Sequence, residues 1–183
     1  IQNSANSIRA THRGEFQQAE QLVEKVASIA GEINLLRDKH PVIYYGGYVE
    51  DALKEYAEAS ATLSFATGAA LAGPEELGMG PAPYLNGLAD AVGELRRFIL
   101  DSLRRGDFSH CEELLDIMDE VYTILVSMDF PDAVTRGLRR STDVTRSILE
   151  RTRGDLTLAL RQQRFEEKLA ALEGRLSEHS GGG

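Results

Sequence analysis

Tryptophan is absent from the chain, cysteine occurs once and histidine four times. A lone Cys111 forms no internal disulfide, and no Cys/His cluster has the spacing of a structural zinc site. A reducing compartment, the cytoplasm, is therefore expected. Long hydrophobic runs are missing too. The longest uncharged stretch, Ala59 to Pro74, is shorter than the ~20 residues that cross a bilayer and is diluted by Ser60, Thr62, Ser64, Thr67, Gly68 and Gly73. No membrane segment is expected. The chain starts at Ile1 rather than methionine, so further residues are expected before it. Several familiar catalytic signatures are absent as well: the Gly-x-x-x-x-Gly-Lys-Ser/Thr phosphate loop, Gly-x-Gly-x-x-Gly and the Gly-x-Ser-x-Gly nucleophile turn. Glu-x-x-His, which builds di-iron sites in helical bundles, is also missing.

Basic charge is in short supply, with 20 Lys and Arg against 29 Asp and Glu, a net charge of −9. Such a field repels polyanions and argues mildly against nonspecific nucleic-acid binding. The exception is the stretch from Asp132 to Arg164, where eight arginines face four acids. Solvated Glu/Arg pairs along a helix are the ordinary reading of such a run. The histidines, at positions 12, 40, 110 and 179, are scattered and read as surface or interface residues.

What is present is helical periodicity. Phe16, Ala19, Val23, Val26, Ala30, Ile33 and Leu36 recur every three or four residues and predict a long first helix, broken by Pro41 and Gly46-Gly47. A second helix is expected from about Tyr48 to Ala70, then a loop from Gly73 to Pro83. Leu85, Leu88, Val92, Leu95 and Ile99 stripe a third helix that begins at Tyr84 and stops near Gly106. Ser109 and Glu112 have capping-box spacing and predict the start of a fourth, running to about Met128. Pro131 suits the first turn of a final helix reaching about Leu176, weakened or kinked at Gly154. No strand pattern occurs. The fold class predicted is all-α, an antiparallel bundle of five or six helices with a long C-terminal helix. The length of 183 residues suits one domain over residues 1–178, with a flexible tail at 179–183. So long a last helix cannot bury its whole apolar side in a small bundle, and Leu156, Leu160, Phe165, Leu169, Leu172 and Leu176 are expected to meet another subunit.

The chemistry on offer is carboxylate chemistry. At 100° per residue, the second helix places Val49, Leu53, Tyr56, Ser60 and Leu63 on one side and Asp51, Glu55, Glu58 and Thr62 on the other. On the third helix Asp90, Glu94 and Asp101 oppose the apolar stripe. Glu55 with Glu58, and Asp90 with Glu94, are like-charge neighbours that cost each helix a few tenths of a kcal/mol. If the two polar sides meet, their oxygens suit Mg²⁺ or Mn²⁺, able to activate a water and stabilise the leaving oxygen of a phosphodiester. Taken by patterning alone, the same acids read first as the wet side of two amphipathic helices and only second as a metal site.

Two segments carry a family resemblance. Lys54-Glu55-Tyr56-Ala57-Glu58-Ala59 and the run from Tyr84 to Arg97, YLNGLADAVGELRR, resemble the translin and translin-associated factor X family. Asp129 to Thr157, DFPDAVTRGLRRSTDVTRSILERTRGDLT, is similar to the last helix of its prokaryotic-type members. The resemblance covers nearly the whole chain, least distinctly its first forty residues. It implies a helical bundle assembling into a hollow octamer that binds single-stranded or short duplex nucleic acid. In the translin-associated factor X branch, it further implies a Mg²⁺-dependent endoribonuclease with its acids on the inner wall. Carried onto this chain, it points to Glu55, Glu58 and Asp90 as catalytic metal ligands, with Glu94 as a fourth ligand. The histidine- and arginine-rich stretch that follows the paired tyrosines in eukaryotic translins has no counterpart after Tyr44-Tyr45. Contacts to RNA, or to single-stranded DNA, then fall to other basic residues, for which Arg9, Arg13, Arg37, Lys39 and Lys54 are candidates. Arg139, Arg140 and Arg146 read first as subunit contacts and second as RNA contacts. Two rivals remain: a nucleic-acid-binding assembly without catalysis, and a helical scaffold that binds protein through its final helix.

Overall fold

A computed structural model describes the backbone of residues 1–180 and the side chains of residues 1–175. Its helices are α1 (Gln2–His12), α2 (Phe16–Asn34), α3 (Pro41–Tyr44), α4 (Gly47–Thr67), α5 (Pro81–Arg104), α6 (Cys111–Ser127), α7 (Asp132–Thr135) and α8 (Leu138–Ser180). No strand occurs among the described residues. Among the described residues six helices are longer than one turn, five of them where the periodicity predicts a helix, and α3 and α7 are single turns in the connections. Sequence neighbours joined by short loops pack side by side, which makes the bundle antiparallel. No helix among the described residues is long and apolar enough to cross a membrane.

α5 is the central element, packing against α4, α6 and α8. Its predicted stripe is its buried face: Leu85, Leu88, Val92, Leu95 and Ile99 are all buried, the last three entirely. Pro81 opens the helix, where its missing N–H costs nothing, and Gly106 takes a positive φ of 73° just past its end. Met118, Val121 and Leu125 of α6 close the core on one side, and Leu138, Leu149 and Leu156 of α8 on another.

Four local expectations need correction. α1 carries no hydrophobic stripe and was not anticipated. Its buried residues are Ser4, Ser7, Ala10 and Thr11 with a single large one, Ile8; the small ones allow close approach to α2, where the Ser7 hydroxyl donates to Ala19 O at 2.9 Å. The capping box is not formed. The Ser109 hydroxyl and N–H both bond Asp107 Oδ1, at 2.7 and 3.1 Å, and α6 begins at Cys111 without a side-chain cap. Pro131 starts the single turn α7 rather than the last helix. Arg136, in left-handed conformation at φ 50°, and Gly137 then turn the chain into α8, which runs unbroken through Gly154 to Ser180. Finally, Leu156 is buried in the protomer core and Leu160 packs against it, so neither is free for a second subunit. Phe165, Leu169 and Leu172 are exposed, whereas the Leu176 side chain and residues 181–183 of the expected tail lie outside the described residues.

Candidate functional site at the α4–α5 contact

α4 lies between α1 and α2 on one side and α5 on the other. Burial therefore extends beyond its apolar stripe: Thr62, on the side predicted to be wet, is fully buried with its hydroxyl unpaired. The closest approach to α5 is at Gly87. A Cβ there would stand 2.6 Å from Ala57 Cβ, 2.6 Å from Lys54 O and 3.0 Å from Glu58 N. Only glycine admits backbone so near. Three and seven residues beyond Gly87 come Asp90 and Glu94, while Glu55 and Glu58 leave α4 beside the same contact. The two predicted acidic pairs are thus brought to one place.

Burial first, and then the negative charges of Asp90, Glu55 and Glu94, together push the Glu58 carboxyl up from its ordinary 4.5 to about 7, against a smaller pull from Lys54. The other members are unequally served. Lys54 Nζ donates to Asp90 Oδ2 at 2.7 Å, a bond that holds the ammonium above its ordinary range. Glu94 accepts a hydrogen bond from His12 Nε2 and is held below the usual carboxylate range by it. His12 is not the surface residue its isolation in the sequence suggests. Its side chain is 6% exposed and stacks on Phe98 at 4.1 Å between ring centroids.

Hard carboxylate oxygens next to a carboxyl raised by burial and by like charge have the chemistry of a divalent-cation site. Among the described residues, however, no three His, Cys, Asp or Glu side chains are gathered closely enough to hold a metal ion. Lys54 and His12 each occupy one acid. Binding a cation there requires Asp90 and Glu94 to exchange those partners for it.

An open cleft of about 590 Å³ adjoins Lys54, Glu58 and Asp90, and its far wall is the start of α8, with Arg140, Ser141, Val144 and Ile148. Asn86 fixes that wall. Its Nδ2 donates to Ala82 O at 2.9 Å and Thr135 O at 3.0 Å, and its Oδ1 accepts from the Ser141 hydroxyl at 2.7 Å. Of the five basic candidates, Lys54 alone lines the cleft. Arg9 bonds Asn6, and Arg13 pairs with Glu15 at the end of the helix that carries His12. Arg37 bonds the Tyr44 hydroxyl at 3.2 Å and lies over its ring, and Lys39 is exposed in the same connection. Arg146 pairs with Glu150 along α8, whereas Arg139 lines a separate surface cleft with Tyr122, Asp129 and Phe130. His12, Asn86 and Ser141 carried no signal in the sequence, because their roles depend on partners 82, 49 and 55 residues away.

No family model matches the chain. An uncharacterized protein of Methanocaldococcus jannaschii is 27% identical over 172 residues, covering 93% of this chain and 76% of that protein. Among solved structures, the AfC3PO–duplex RNA complex superposes with a TM-score of 0.81 at 36% identity, covering 87% of this chain and 83% of that one. The AfC3PO crystal structure gives 0.80 at 37% over the same shares. Apo-NeC3PO gives 0.77 at 23% and so shares the fold. With more than a third of residues identical over most of both chains, and with the acids, the glycine contact and the helix order in place, the chain belongs to the translin and translin-associated factor X family.

Proposed function

We propose that the protein is a divalent-metal-dependent endoribonuclease acting on short single-stranded or duplex RNA as a homo-oligomer. Glu55, Glu58 and Asp90 hold Mg²⁺, or Mn²⁺, with Glu94 as a fourth ligand. The observation that carries this reading is that Asp90, Glu55 and Glu94 of α4 and α5 lie near enough to add their charge to burial in raising the Glu58 carboxyl to about 7, beside an open cleft that Glu58 and Asp90 line. Support for the substrate comes from AfC3PO, 36% identical, which has been solved bound to duplex RNA.

A divalent cation bound there supplies an activated water and charge stabilisation at the leaving oxygen of a phosphodiester. Without a cation, burial and like charge leave the Glu58 carboxyl near neutrality, and a cation held there would favour its ionised form and so its role as a ligand. Lys54, released from Asp90, remains beside the cleft to offset phosphate charge. His12, clamped against Phe98, orients Glu94.

A short end-labelled RNA incubated with Mg²⁺ or with EDTA, beside a Glu55→Ala/Glu58→Ala variant, tests this. Cleavage is expected only with Mg²⁺ and only in the parent. Equal cleavage by the variant removes the site assignment. The Lys54–Asp90 and His12–Glu94 pairs favour a second reading, in which the acids are already compensated and the assembly binds RNA or single-stranded DNA without cutting it. Intact RNA that shifts on a native gel selects it. Native mass spectrometry tests the assembly, for which an octamer is expected, and a monomer rules out an enclosed chamber.

A further inference from the structure

Two clefts meet at the first turn of α8. The one beside Glu58 and Asp90, of about 590 Å³, adjoins another of about 330 Å³ that extends toward Glu50, Asp51 and Arg136. Lys54, Arg140 and Ser141 line both. An RNA strand lying here brings phosphates next to a cluster of carboxylates, so its binding depends on the cations at the junction. Most of the basic and polar groups there are committed. Lys54 bonds Asp90, Arg136 pairs with Glu50 at 2.6 Å, and the Ser141 hydroxyl donates to Asn86. Arg140 is exposed and has no hydrogen-bond or ion-pair partner among the described residues.

The geometry points to Arg140 as the residue that takes the phosphate flanking the cleaved bond, on a strand running through both clefts. This rests on the endoribonuclease reading above. A guanidinium suits the task because its planar fork meets a phosphate with two parallel N–H bonds. Arg140 breaks no ion pair to do so. Its backbone is held in place, since Leu138 is buried in the core and Ser141 is tied to Asn86. A contact to phosphate reads no base, so its contribution is the same for any sequence.

The test uses the full chain, a short fluorescein-labelled single-stranded RNA, EDTA, and anisotropy titrations across a series of KCl concentrations. Arg140→Ala is expected to weaken binding about tenfold for unrelated sequences alike, and to make the fall of log affinity with log salt shallower by about 0.7. Arg140→Lys keeps the slope and recovers part of the affinity. Arg153→Ala, which removes an exposed arginine paired with Asp119, behaves as the parent. Parent-like affinity and slope in Arg140→Ala overturn the inference while the function reading stands. Equal losses in Arg140→Ala and Arg153→Ala also overturn it, by assigning the effect to the general field. A parent that neither binds nor cleaves RNA overturns both readings together.

Discussion

Replacing Glu58 by glutamine at pH 8 is expected to stabilise the folded protein. In the folded chain the carboxyl titrates near 7, and in the unfolded chain near its ordinary 4.5. Between those values the folded state binds more protons than the unfolded state, so stability falls as pH rises from about 4.5 through 7. The difference converts to about 3.4 kcal/mol at about 1.4 kcal/mol per pH unit. Glu58 is only partly buried, and solvent screening reduces the usable effect to about 2 kcal/mol. Glutamine keeps the shape and removes the charge, so the gain appears at pH 8 and fades toward pH 4.5.

For a chain of this size, ~2 kcal/mol corresponds to a rise in melting temperature of about 4–8 °C. Thermal melts of parent and Glu58→Gln at matched protein concentration, at pH 4.5 and pH 8 in EDTA, make the comparison. Adding Mg²⁺ at pH 8 is expected to stabilise the parent and to leave the variant almost unmoved, because the cation relieves the same repulsion that the substitution removes. An unchanged or lower melting temperature for the variant at pH 8 would refute the reasoning, since it would mean that Glu58 carries its charge in the fold at no cost.

Gly87→Ala places a Cβ 2.6 Å from backbone and side-chain atoms of α4, and is expected to cost about 1–3 kcal/mol or more, read as a lowered urea midpoint. Leu156→Ala should cost about 2–5 kcal/mol in the same assay because the side chain is buried, whereas Leu158→Ala, at a residue 67% exposed, should leave the midpoint within about 0.5 kcal/mol. Asn86→Ala leaves Thr135 O and the Ser141 hydroxyl without their partner and should cost about 1–3 kcal/mol, with faster amide exchange at the start of α8.

The bundle was legible where burial is written in large aliphatic residues. The stripe on α5 recurs at helical spacing because one face of a central helix meets its neighbours along its whole length, and every predicted member is buried. α1 escaped because its buried residues, apart from Ile8, are serine, alanine and threonine, which bury as readily in a close helix contact but leave no hydrophobic period. Ser109 and Pro131 misled for a related reason. Each has a local alternative, an Asp107 acceptor and a single-turn α7, that competes with the cap or helix start their spacing suggests. At the site, the two acidic pairs could be placed opposite the stripes from helix geometry alone. Their convergence depends on Gly87, whose meaning lies in an approach to residues thirty positions earlier. The grouping of Glu58 with its neighbours is geometric, and periodicity has no access to it.

The arginine-rich segment shows how a charge surplus in sequence becomes something narrower in space. Arg136 pairs with Glu50, Arg146 with Glu150 and Arg153 with Asp119, while Arg151 bonds the Ser147 hydroxyl. Arg146 and Arg151 are the paired helix face that a mixed run ordinarily becomes, and Arg136 and Arg153 tie the segment to α4 and α6. Arg140 stands apart because the tie from Asn86 to Ser141 sets the first turn of α8 across from α4, where the side chain faces an acidic cleft rather than an acid of its own helix. Asn86 and Gly87 are adjacent on α5: one fixes the wall that bears Arg140, the other the wall that bears Glu58. A single turn of the central helix therefore sets the spacing between the carboxylates and the one uncommitted cation at the junction. On the proposed reading, that spacing is what lets a protein of net charge −9 receive a polyanion at a chosen place without attracting it everywhere.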